Sequence, residues 1–152
     1  MWKWTYYEQY KHGGNFIMNV DIVKLVRDSM EKIGCSSLVD EHLDAHSPIC
    51  LRFSSVPDMC IECEDERIRV WSKLDYRGDH QLSGTAADLL GYLMPRSSPC
   101  FVTHRPLLSL VSDELLLQGQ LEPTCAYDAD VFAQALETFY EDLCAVNEIL
   151  TR

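Results

Sequence analysis

Basic residues are scarce: 13 Lys and Arg stand against 24 Asp and Glu in 152 residues, a formal charge of −11. No basic stripe can meet a phosphate backbone, so nucleic acid is not an expected partner. Long hydrophobic runs are missing too; none approaches the roughly 18 apolar residues of a membrane span, and no membrane insertion is expected. Gly-rich phosphate loops are absent, because Gly13-Gly14 has no strand before it and no Lys-Ser/Thr after it. Cysteine is present, with seven residues at 35, 50, 60, 63, 100, 125 and 144, but the number is odd and no spacing repeats. That pattern argues against a disulfide framework and for free thiols in a reducing cytosol. With 47% hydrophobic and 24% charged residues, the chain can build one core without staples.

Patterned sequence begins after Met18. Residues 1–17 are aromatic and polar, with Trp2, Trp4, Tyr6 and Tyr7 but no continuous apolar segment, which makes a poor signal peptide. Two readings stand for them: a disordered leader or upstream-start extension, or an aromatic segment that docks on the protein's own apolar surface. Residues 18–152 read as a single domain.

The first helix is expected from Asn19, as N-cap, to Ile33, with Gly34 stopping it. Ile22, Val23, Leu25, Val26, Met30 and Ile33 spread over an arc of roughly 160°, wider than one core contact needs. One edge is left for a partner or for a neighbouring loop. Three alternating strands follow, with Ile49, Leu51 and Phe53 inward in the first, Met59, Ile61 and Cys63 in the second, and Ile68, Val70 and Leu74 in the third. Val56-Pro57-Asp58 and Glu64-Asp65-Glu66 supply the turns, and Trp71 falls on the outer face. A second helix is expected from Ser83 to Leu93, closed by Pro95. Leu107 to Val111 and Leu115 to Leu121 read as a second hairpin, apolar on both faces, and a subunit interface is the economical cover for the surplus face. The last helix starts at Asp128 or Asp130 and runs to about Leu150, with a seam of Phe132, Leu136, Phe139, Leu143, Val146 and Leu150. Its acids, Asp142 among them, read as a solvated face. The fold class is α+β.

Catalytic signals are isolated residues. Cys60-Ile61-Glu62-Cys63 has metal or redox spacing, but residues three apart on a strand point to opposite faces, and no second pair exists. His42 and His46 lack the Glu that a zincin places directly after the first His, so Asp44 and His46 are expected to organise the turn into the first strand. Cys35 sits in no nucleophile motif. No cofactor, metal or catalytic residue is expected, and a cysteine- or zinc-based enzyme is the remote alternative.

Five ordered pieces carry a resemblance. They are Leu25-Val26-Arg27-Asp28-Ser29-Met30 with Ile33-Gly34-Cys35; Asp44-Ala45-His46-Ser47 with Ile49; Val56-Pro57 with Ile61; Val70-Trp71-Ser72 with Leu74; and Phe132, Leu136, Phe139-Tyr140. In this combination the chain resembles the type III secretion effector chaperones, closest to the class IB, InvB/SpaK-like branch. The resemblance implies an α/β sandwich with a bent, antiparallel five-stranded sheet and three helices, paired as a homodimer. It implies a bacterial cytoplasmic protein, not an enzyme, that holds the N-terminal region of secreted effectors in extended form, with the secretion ATPase as a further candidate partner. By carry-over, Ile22, Leu25, Val26, Leu51, Phe53 and Trp71 are candidates for effector binding, and Leu89, Leu93, Leu108, Leu110, Leu115 and Leu117 for the dimer interface. A dimeric interaction module without a chaperone role is the alternative.

Overall fold

The computed structural model describes residues 20–39 and 42–152. The expected leader and Asn19, expected as an N-cap, lie outside the described residues.

The first helix, α1 (Ile22–Ile33), is capped by the carboxylate of Asp21, which accepts from the Lys24 N–H at 3.0 Å. It ends as expected at Gly34, whose φ of +79° is easy only for glycine and lets the Cys35 N–H reach the Met30 carbonyl at 2.8 Å. Ile22, Leu25, Val26, Ser29 and Met30 are buried, while Val23 and Ile33 are half-buried at the edges of the arc.

Five strands form one antiparallel sheet in the order β1-β2-β3-β5-β4. They are β1 (Ile49–Leu51), β2 (Met59–Glu64), β3 (Arg67–Lys73), β4 (Leu107–Val111) and β5 (Glu114–Gln120). The β2–β3 turn is Asp65-Glu66 and the β4–β5 turn Ser112-Asp113, both residues of each at positive φ, the two-residue geometry that suits the twist of paired strands. Pairing puts Ile49, Ile61 and Val70 in one inward row, and Leu51, Met59, Ser72 and Leu117 in the next. β1 is shorter than the alternation suggested, so Phe53 lies beyond it.

The helices α2 (Asp79–Leu93) and α3 (Ala129–Leu150) complete the inward layer, α3 packing against both α1 and α2. α2 begins a turn earlier than expected. Gln81 ties the incoming chain down, accepting from the Arg77 N–H at 2.7 Å and donating to the carbonyls of Asp75 and Leu150, both at 2.9 Å. α3 starts at the Asp128 cap as expected, and all six seam residues are buried. Asp142 departs from the reading as a solvated acid: it is 1% exposed and faces α2. Spacing alone could not separate it from Glu141 or Glu148, because the face turned to α2 depends on how the two helices cross.

Ser29 Oγ donates to the Ala129 carbonyl at 3.1 Å, and Lys32 meets Asp130 at 2.8 Å, joining the end of α1 to the start of α3. At the other side of the core, Phe101 lies across Gly119, where an added Cβ would stand 2.7 Å from the ring.

Candidate functional site

β1 and β4 end the strand order and are its edges; all three helices contribute to the core on one side of the sheet, and the opposite face carries a different set of side chains. Four strands of that outer face are joined by polar side chains. Arg69 donates to Glu62 at 2.7 Å and to Gln118 at 3.3 Å, and Gln118 donates to Ser109 Oγ at 2.7 Å. A second row crosses the whole sheet in register: Cys50, Cys60, Trp71, Gln118 and Leu107. Trp71 is on the outer face, as the alternation requires, and half-buried; its indole N–H is buried without a hydrogen-bond partner.

The row begins with a disulfide, which corrects the reading of all seven cysteines as free thiols. Cys50 and Cys60 are bonded, with Cα atoms 4.1 Å apart. Antiparallel pairing about the 52–58 turn places them directly opposite each other, a relationship that linear spacing conceals and strand register reveals. Cys63 faces the other side of β2, opposite Ile68, so Cys60 and Cys63 do not form one site. Burial pushes the Cys63 thiol up and that of Cys125 up to about 11, which keeps both protonated at neutral pH and poorly nucleophilic.

Asp44 accepts from the His46 N–H at 2.9 Å and from Ser47 Oγ at 3.3 Å, and these bonds, the backbone one foremost, hold its carboxyl below the usual range. Asp44 and His46 therefore organise the turn into β1, as expected. Among the described residues no group of three or more His, Cys, Asp or Glu is placed to hold a metal. No described helix is long and apolar enough to cross a membrane.

The twelve candidate binding residues separate by depth. Ile22, Leu25, Val26 and Leu51 are at most 8% exposed and belong to the core. Phe53 and Trp71 reach the surface; the Phe53 ring rests on Tyr140, with centroids 4.8 Å apart. Leu89, Leu93, Leu115 and Leu117 are also core side chains, Leu108 is half-buried and Leu110 is exposed. The strongly apolar hairpin is thus covered in part by the subunit itself, through α3 and the Phe101 loop. Leu90, Met94, Val102 and Leu107, none of them among the assigned interface candidates, are 44–63% exposed. Three of them stand beside an assigned position, Leu90 after Leu89, Met94 after Leu93 and Leu107 before Leu108, whereas Val102 stands beside none.

Behind this surface, α2 and α3 are joined by a polar cluster. Tyr92 Oη donates to Asp142 at 2.9 Å, and Arg96 Nε reaches the same carboxylate at 2.8 Å while its guanidinium lies 5.5 Å from the Tyr92 ring centre. Burial pushes the Asp142 carboxyl up against the opposing pull of Tyr92 and Arg96, and burial with the Asp142 bond pushes the Tyr92 phenol up to about 12. A shallow cleft of about 450 Å³ lies between α2 and the end of α3, lined by residues that include His80, Thr85 and Ile149. Its arginines are paired, Arg77 with Asp75 and Arg152 with Asp88 and Glu148.

The fold is similar to that of the crystal structure of YbjN from E. coli, at a TM-score of 0.53 and 18% identity, covering 83% of this chain and 89% of that one. In sequence, the chain is similar to the surface presentation of antigens protein SpaK of Salmonella typhimurium strain LT2 and to SpaK of Salmonella typhi. Each is 28% identical over 138 residues, spanning 90% of this chain and all of the relative. Residues 34–136 match the model of the Invasion protein B family, from the end of α1 through the five strands and α2 into α3, and the chain belongs to that family.

Proposed function

We propose that this protein is a type III secretion chaperone of the class IB kind, a cytoplasmic homodimer that binds the N-terminal region of one or more effectors in extended form. Family membership across the whole sheet is the observation that carries the reading. The architecture supports it: β1 and β4 present unpaired backbone groups, and an extended client can add to such an edge as a further strand, its affinity coming from main-chain hydrogen bonds and its specificity from alternate side chains. The protein then works by covering a segment of its client, without an active site, and delivers it to the secretion machinery, with the secretion ATPase as receiver.

Phe53 and Trp71 are the proposed client contacts at the surface, while Ile22, Leu25, Val26 and Leu51 belong to the core on the inward side of the sheet. In the dimer, Leu108 and Leu110 would act with the exposed Leu90 and Met94, over a floor of Leu89, Leu93, Leu115 and Leu117. Deleting the gene should stop export of at least one secreted protein and shorten its life in the cytosol. Unchanged export of every secreted protein would overturn the reading.

A further inference from the structure

We infer that Cys50 and Cys60 form a redox-sensitive latch on the edge strand β1, closed as the cystine and opened by a cellular dithiol reductant of the thioredoxin class. β1 has three residues and pairs only with β2. So short an edge strand belongs to the least stable part of a fold and opens first. Its inward side chains, Ile49 and Leu51, are held by the core, while its outward side chain, Cys50, is bonded to β2 through the disulfide. The covalent link therefore sits at the one outward position in the β1–β2 register, and it fixes that register whatever the ladder does.

Access to the two sulfurs differs. Cys50 is exposed, whereas Cys60 is 5% exposed, so a thiolate reaches the Cys50 sulfur. Attack there forms a mixed disulfide on Cys50 and expels the Cys60 thiolate, which takes a proton. The second thiol of the reductant then attacks its own sulfur in the mixed disulfide and releases the Cys50 thiol. Two electrons and two protons pass to the cystine, and the reductant leaves as its disulfide. Cys63 cannot take over either role, because it lies on the inward face of β2.

The consequence for clients rests on the chaperone reading. With the latch closed, β1 stays on β2 and a client strand must add outside it. With the latch open, β1 can lift, and the β2 edge becomes a second place for a strand to add. In a reducing cytosol the open form is the working state; exchange of the two thiols with a small-molecule disulfide such as oxidised glutathione, which leaves as two thiols, re-forms the cystine and closes the β2 edge.

Hydrogen exchange of the full-length chain, alone, tests the latch apart from any client. After mild oxidation, the amides of 49–51 and their partners in 59–61 should exchange at least ~10-fold more slowly than in dithiothreitol, while 107–120 are unchanged. Cys50→Ser should give fast exchange in both conditions, and Cys63→Ser should preserve the difference. Equal exchange of 49–51 in the oxidised and reduced wild-type chain would overturn the inference, as would seven alkylatable thiols after oxidation. Either result would leave the chaperone reading standing, since that is tested by export and by client binding.

Discussion

Arg96, just beyond α2, and Asp142 of α3 meet at 2.8 Å, and Asp142 is 1% exposed while the Arg96 side chain is 34% exposed. The unequal burial decides what each deletion does. Removing the guanidinium leaves a buried carboxylate with Tyr92 alone. Arg96→Ala should lower stability by about 2 kcal/mol, less than the ~3–5 typical of a fully buried pair because the arginine is partly hydrated. Asp142→Asn added to Arg96→Ala should recover part of that loss in urea unfolding. A double variant weaker than Arg96→Ala would contradict the account.

The same carboxyl sets a pH dependence. Burial raises its folded pKa above the ordinary value of 3.8, so its contribution is fully present below that value and is lost as pH rises through the folded pKa. Relative to wild type, Asp142→Asn should therefore gain stability as pH climbs from about 3.8 and then level off. Denaturant midpoints at stepped pH would read the sign; a difference that ran the other way would mean that Arg96 and Tyr92 outweigh burial.

Gly119 and Ser72 make opposite predictions inside one core. A Cβ at Gly119 would lie 2.7 Å from Phe101, a buried ring near Phe139, so Gly119→Ala should cost about 1–3 kcal/mol. Gly84, on α2, has open space around its Cβ position, and Gly84→Ala should add about 0.5–1 kcal/mol. Ser72 Oγ is buried between Met59 and Leu117 without a partner, so Ser72→Ala should be neutral or stabilising by about 1 kcal/mol. Thermal unfolding of the three variants checks all three signs.

Depth separates the folding residues from the proposed dimer surface. Leu90 and Met94 are 58% and 63% exposed, and Leu117 is fully buried. Leu90→Asp with Met94→Asp should yield a folded monomer by light scattering and circular dichroism, whereas Leu117→Asp should unfold the chain, at a cost of several kcal/mol. Ile22→Asp with Leu25→Asp should resemble Leu117→Asp, because both side chains are core. A double α2 variant that stayed dimeric would place the dimer elsewhere.

Periodicity made the fold legible, since the Gly34 stop of α1, the Asp128 cap of α3, the alternation of β2 and β3 and the α3 seam are local properties of the chain; the start of α1 was not, its cap being Asp21 where Asn19 was expected. What it left out is set across the chain. The Cys50–Cys60 bond follows from strand register, the burial of Asp142 from the contact of α2 with α3, and the extra turn of α2 from Gln81 reaching Asp75 and Leu150. For the binding surface, apolar character was visible at every assigned leucine. Which of two adjacent leucines faces outward was not, because a residue's depth depends on the layer that covers it.

Native mass spectrometry of the chain, purified from its own bacterium under secretion-inducing conditions, separates a client-holding dimer from every other reading. Two copies of this chain with one larger polypeptide are expected, and limited proteolysis should leave that polypeptide's N-terminal segment bound to the pair. A monomer, or a dimer whose partner is held only through its folded part, would contradict the chaperone reading.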